Sequence, residues 1–206
     1  DEFVLSFHDI NPQKKIHALV IPKGKYIDLD DFSYKINQFL PTDILIKNYK
    51  RTNQNFHARF DAVSRTYEYR ITQKKEPFQN GLYNFFKHDL DIQLMNECCK
   101  ELVKYKDFTS FSKVHTDVKN FNCTIYEAFW MQNGHQIIFT IKSNRFLRNM
   151  VRAIVGTLIE IGLNKYDINH IEKVIKSKNR QNAGYSVPAH GLYLTNIIYP
   201  ALNVNE

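Results

Sequence analysis

The stretch NRFLRNMVRAIVG, Asn144 to Gly156, constrains this chain more than any other. At 100° per residue it reads as a helix with two stripes. Phe146, Leu147, Met150, Val151 and Ile154, with Leu158 just beyond, share one broad apolar face. Arg145, Arg148 and Arg152 step by three and four residues alongside it. Three guanidiniums along a buried helix are costly to hold unless an anion faces them. That anion is either a carboxylate of the protein or a phosphate of a ligand, and the pattern leaves both open.

The rest of the chain narrows the classes. Apolar residues make up 43% of 206 and are spread along the whole length, enough for one large or two small domains with a core. No apolar run reaches the roughly 20 residues of a membrane-spanning helix. Lys and Arg number 28 against 21 Asp and Glu, a net charge of +7, which fits either a polyanionic partner such as nucleic acid or a solvated basic surface. Twelve Tyr and fifteen Phe supply faces that stack on unpaired bases, although most belong to the core. Cys98, Cys99 and Cys123 match no metal-ligand spacing and read as reduced, buried residues of a cytosolic protein. His8, Asp9 and His17 match no ligand pattern either. A Gly-rich phosphate loop and a nucleophile elbow are both missing, which argues against a nucleoside-triphosphate enzyme and a serine or cysteine hydrolase. The opening DEFVLSFHD lacks the basic region of a secretory leader and enters a strand-like run with no initiator Met, so we expect a piece of a longer polypeptide.

Periodicity and punctuation predict strands over 2–7, 16–21, 44–49, 60–71 and 192–199, with a hairpin of 124–132 and 136–142 around Asn133-Gly134. Helices are predicted over 29–40 (stopped by Pro41), 91–105 (capped by Asp91), 144 to about 162, and 167–176. The expected class is α+β, a mixed or antiparallel sheet with helices on one face. In RTYEYR, Tyr67 and Tyr69 point to the same side of their strand, because the side-chain period is two. They either cover the sheet or offer rings to a base. Arg59 and Arg65 interleave with these aromatics, so the strand and the arginine helix together fit one RNA-facing cleft.

Five ordered motifs carry a resemblance. FHARF (56–60), RTYEYRI (65–71), DFTSF (107–111), NRFLRNMVRAIVGTL (144–158) and GLYL (191–194) followed by Tyr199-Pro200 resemble the TruA-type tRNA pseudouridine synthases. HTDVK (115–119) and SVPAHGLYL (186–194) are similar to members from Bacteroidetes-like bacteria, and the likeness covers roughly residues 28 to 200. The resemblance implies a pseudouridine-synthase-like fold of two similar α/β lobes around a basic cleft. Residues 1–78 would then be the C-terminal part of the first lobe, with its N-terminal βαβ portion missing, and 79–206 the second. It also implies isomerisation of uridines in the tRNA anticodon stem-loop, no cofactor, no metal, and a homodimer. By motif position Tyr67 stacks near the flipped base and Arg152 pairs with a nucleophilic Asp. Arg59, Arg65, Arg145 and Arg148 would contact phosphates or pair internally.

The nucleophile's own segment, Arg-Thr-Asp-x-Gly-Val-His in the family, is absent as such. Counting back from Leu40-Pro41 places the Asp at Asp9, with Phe7-His8 where the family has Arg-Thr and Asn11 where it has Gly. A second register makes residues 1–9 the strand after the catalytic loop and puts the nucleophile upstream of residue 1. A third reading is a paralogue that keeps the RNA cleft and has lost catalysis.

Overall fold

The structure, a computed structural model, describes residues 4–5, 19–20, 29–47, 52, 55–114 and 118–200. It divides into two compact units between residues 53 and 54.

Among the described residues, the first unit holds a two-stranded antiparallel pair, β1 (Val4–Leu5) with β2 (Leu19–Val20), and one helix, α1 (Leu29–Phe39). Helix α1 ends two residues before Pro41, which has no N–H to continue the ladder and disfavours helical geometry just before itself. The strand expected over 44–49 is not formed over 44–47. The side-chain amide of Asn37 occupies the backbone of Ile46 on both sides, donating to its carbonyl at 2.9 Å and accepting from its N–H at 2.8 Å. With its N–H taken and its carbonyl already engaged, Ile46 has no donor left to offer a neighbouring strand.

The second unit is built on a five-stranded mixed sheet. Its central strand, β3 (Ser64–Thr72), pairs antiparallel along its length with β6 (Gln136–Ser143). The other edge of β3 is shared. Antiparallel β7 (Leu192–Ile198) covers Ser64 to Tyr69, and parallel β4 (Asn84–Phe85) covers Ile71 and Thr72. Strand β5 (Ile125–Asn133) pairs with β6 on the outside. The sheet thus takes strands from both sides of residue 78. Register aligns Tyr67 with Ile141, Tyr69 with Phe139 and Ile71 with Ile137, so one face of the sheet is apolar and buried. The β5–β6 hairpin closes through Gly134 and His135, with Gly134 at φ +57°, a conformation that costs glycine nothing.

Helices α2 (Ile92–Leu102) and α3 (Met150–Gly162) cover the apolar face, and α4 (His170–Ser177) packs against them. Asp91 caps α2 by accepting from the N–H of Leu94 at 2.9 Å. Helix α3 is buried on nearly every side, and within it only Arg152 and Glu160 keep partial exposure.

Helices α2 and α4 are shorter than the expected 91–105 and 167–176, and two further elements are shortened for a visible reason. The strand over 60–71 begins at Ser64, because 58–60 form a turn in which the His57 N–H donates to the Asp61 carboxylate at 2.6 Å. The arginine helix begins at Met150, not Asn144. The backbone around Asn144 is committed to the hairpin instead: the Asn144 N–H donates to the Thr124 carbonyl and the Asn144 side chain accepts from the Thr124 N–H. Asn149 then adopts a left-handed conformation, φ 70°, which no helix interior tolerates. The three-arginine stripe is therefore not a helical stripe. Arg145 and Arg148 lie on the segment before α3, and Arg152 alone stands on the helix.

Loop 183–188 crosses α3 with backbone against backbone. A Cβ on Gly156 would lie 1.8 Å from the carbonyl oxygen of Tyr185, and one on Gly184 would lie 2.7 Å from the Thr157 nitrogen. Neither obstacle is a flexible side chain. Gly156→Ala should therefore lower stability by about 1–3 kcal/mol or more, read as a fall in the urea midpoint at unchanged m-value.

Candidate active site

Strand β3 and helix α3 position the two side chains singled out for chemistry. Tyr67 sits on the apolar side of β3 and is half-buried. Its ring meets Phe146 edge-on, with centroids 5.1 Å apart and planes at 90°. Its hydroxyl has no hydrogen-bond partner among the described residues. Burial pushes the Tyr67 phenol up, and the nearby charge of Arg65 partly offsets this. Tyr69, two residues on, is wholly buried, and its hydroxyl donates to the Pro188 carbonyl at 2.8 Å. Burial raises its pKa as well, with Tyr185 adding to the shift and Arg152 opposing it. The two tyrosines thus divide: Tyr69 ties the sheet to loop 183–188, and Tyr67 keeps a half-open ring beside Phe146.

Arg152 is gripped by the same loop. Its Nε donates to the Val187 carbonyl at 2.5 Å, while the Val187 N–H donates to the carbonyl of Arg152 at 3.3 Å. One residue thus fixes both the main chain and the side chain of Arg152. The two terminal nitrogens find no acceptor among the described residues. A guanidinium held at Nε presents a two-pronged face, the geometry that matches a carboxylate.

The other expected arginines have separate fates. Arg65 turns inward: Nη1 donates to the carbonyls of Ala62 at 3.0 Å and Asn144 at 2.7 Å, and Nη2 to that of Arg59. It buckles the turn before β3 to the end of β6. Arg145 reaches the Asn120 carbonyl at 3.2 Å. Arg59 is exposed, 5.5 Å from the centre of the Phe60 ring, and Arg148 is exposed too. Asp9 lies outside the described residues.

The sequence motifs meet in space. FHARF docks just past the end of β7: Phe56 packs edge-on against Tyr199 at 5.1 Å, and the Tyr199 hydroxyl donates to the Ala58 carbonyl at 3.0 Å. DFTSF docks on α4 through Ser110, whose hydroxyl donates to the Val174 carbonyl at 2.6 Å. The Asp107 carboxylate is fully engaged, by the Thr109 hydroxyl at 2.6 Å and the Lys178 ammonium at 2.9 Å, and these bonds hold its pKa down, the Thr109 bond most. It is a fastener for its own loop, not a partner for Arg152.

Comparison with known proteins identifies the family. The profile of the tRNA pseudouridine synthase family matches residues 98–200, a span containing Arg152 and its loop. A tRNA pseudouridine synthase A from Parabacteroides distasonis is 50% identical over 173 residues, covering 84% of this chain and 69% of the relative. This chain belongs to the tRNA pseudouridine synthase family. The same protein from Bacteroides fragilis is 48% identical over 180 residues (86% of this chain, 71% of the relative), and that from Bacillus licheniformis 39% over 183 residues (88% and 72%).

Sequence reading missed Arg180, Ser186 and Asn149, which brace the loop holding Arg152. Arg180 sits in KSKNRQN, which reads as a solvated polar turn. The inward role assigned to Arg65 has its own check. Arg65→Met removes the donors for three carbonyls and should cost about 1–3 kcal/mol, measured by denaturant unfolding. An unchanged midpoint would return Arg65 to the list of free cations.

Proposed function

We propose that this chain is a tRNA-uridine isomerase acting in the anticodon stem-loop. The C1′–N1 glycosidic bond of uridine breaks, a C1′–C5 bond forms, the proton on C5 leaves, and the freed N1 takes up a proton. Asp9 is the nucleophile, Arg152 holds its carboxylate ionised and aimed, and Tyr67 stacks beside the extruded base. The observation that carries this reading is the guanidinium of Arg152, pinned at Nε on a buried helix with two terminal donors left over. A cation so placed on an apolar helix calls for a fixed anion. The half-buried ring of Tyr67 supports the second role, since a flipped base needs a face to replace its lost stacking. The two-lobed basic cleft, the homodimer and a cytoplasmic setting belong to the same proposal. The buried thiols of Cys98, Cys99 and Cys123 suit a reducing compartment.

The test is tritium release from tRNA labelled at C5 of uridine, comparing this chain with Asp9→Asn. Release that disappears in the variant supports Asp9 as nucleophile. Equal release from both removes Asp9 from the mechanism. Binding of tRNA without release from either would favour the second reading, an RNA-binding relative without catalysis.

The exposed arginine separates binding from architecture. If Arg148 contacts a phosphate, Arg148→Met should weaken tRNA binding and reduce the slope of log K against log salt by roughly 0.7–0.9, with no change in stability. An unchanged slope would place Arg148 off the RNA path.

A further inference from the structure

Arg180 lies outside both β3 and α3, in the turn Arg180–Asn182, yet it is committed to the loop that grips Arg152. Its Nη1 donates to the carbonyls of Ala183 at 3.2 Å and Gly184 at 3.0 Å, and its Nη2 to the Ser186 hydroxyl oxygen at 3.0 Å. The same Ser186 oxygen accepts from the Asn149 side-chain amide at 2.6 Å. Asn149 is the left-handed residue from which α3 starts, three positions before Arg152. The next residue along the loop, Val187, supplies the carbonyl that holds the Arg152 Nε. Two further ties fix the loop from other sides: the Gly184 N–H on the Thr157 hydroxyl at 2.8 Å, and the Tyr69 hydroxyl on the Pro188 carbonyl. Burial disfavours the Arg180 charge.

We propose that Arg180, through Ser186 and Asn149, is a positioning residue for Arg152. The Arg180 fork pulls residues 183–186 into a tight curl. Ser186 locks that curl to the start of α3, and the Val187 carbonyl is thereby aimed at Arg152. Without the fork the curl opens, the Val187 carbonyl drifts, and the terminal donors of Arg152 lose their direction. An error of about 1 Å in such a group is enough to cost roughly 100-fold in rate. The proposal rests on the catalytic reading of Arg152 for its consequence, and on the hydrogen bonds alone for its mechanism.

The experiment therefore reads both levels. The first readout is solvent exchange of the Arg152 Nε proton, followed by nitrogen-15 NMR in the full chain. The second is steady-state tritium release from C5-labelled tRNA. Arg180→Met should speed exchange at Arg152 Nε by about tenfold, the factor implied by one lost hydrogen bond of ordinary strength. It should lower kcat by about 10- to 100-fold with KM for tRNA within about twofold. Adding Arg180→Met to Arg152→Met should cost nothing more, because its effect runs through Arg152. If Arg180→Met does not fold by circular dichroism, Ser186→Ala carries the same three expectations. Unchanged exchange, or a loss that adds in full to that of Arg152→Met, overturns the proposal. Full activity in Arg152→Met, or no release from any form, would instead overturn the catalytic reading, and the exchange rate would still decide whether Arg180 positions Arg152.

Discussion

The close approach of loop 183–188 to helix α3 is the contact on which the rest of the second unit depends. It works only because Gly156 and Gly184 have no Cβ to keep the two backbones apart. At that separation the Thr157 hydroxyl can bridge the Ala153 carbonyl of its own helix and the Gly184 N–H of the loop. The Val187 carbonyl can reach the Arg152 Nε, and the Tyr69 hydroxyl can reach Pro188. Sheet, helix and loop are thereby joined around one guanidinium. A cation on a helix buried nearly all round would ordinarily be expelled or neutralised. Here one of its donors is satisfied by a fixed carbonyl, and the charge that remains faces in one direction.

Counting charge says little about where charge acts. The five arginines expected to face RNA or a carboxylate separate into distinct physical roles once their donors are followed. Arg65 spends its guanidinium on three carbonyls and Arg145 on one, so both hold turns together. Arg59 and Arg148 remain exposed, free to meet phosphates through screened, long-range attraction. Arg152 is neither buried in bonds nor free in solvent. That intermediate state, one donor fixed and two presented, suits a residue that must aim a carboxylate and not merely attract one.

Much of this was legible in the sequence, for reasons specific to each element. The β5–β6 hairpin follows from alternation around Asn133-Gly134, helix α2 from Asp91 before an apolar spacing, and the end of α1 from Pro41. The family could be read because its motifs recur in order, and the matches over residues 98–200 bear that out. The start of α3 was not legible. The 3.6-residue period of 144–158 runs unbroken through Asn149, and only the pairing of Asn144 with Thr124 shows that the first turn belongs to the hairpin. The missing strand at 44–47 has the same cause: a side chain, Asn37, takes a backbone that β-formers alone would have committed to a sheet. Arg180 stayed hidden because a run of Lys, Asn and Gln looks like solvated surface whether or not one of its members turns inward.

The most direct test of the account replaces Arg152 with lysine, which keeps the charge but gathers all its donors on one nitrogen and so cannot hold Val187 while presenting a separate planar fork. Unmodified tRNA would be incubated with each form, digested to nucleosides and mapped for pseudouridine, with tRNA affinity measured in parallel. The account predicts new pseudouridine in the anticodon stem-loop from the unaltered chain, about 100-fold less from Arg152→Lys, and affinities that agree within about twofold. Equal conversion by both forms, or a loss that follows weakened binding alone, would contradict it.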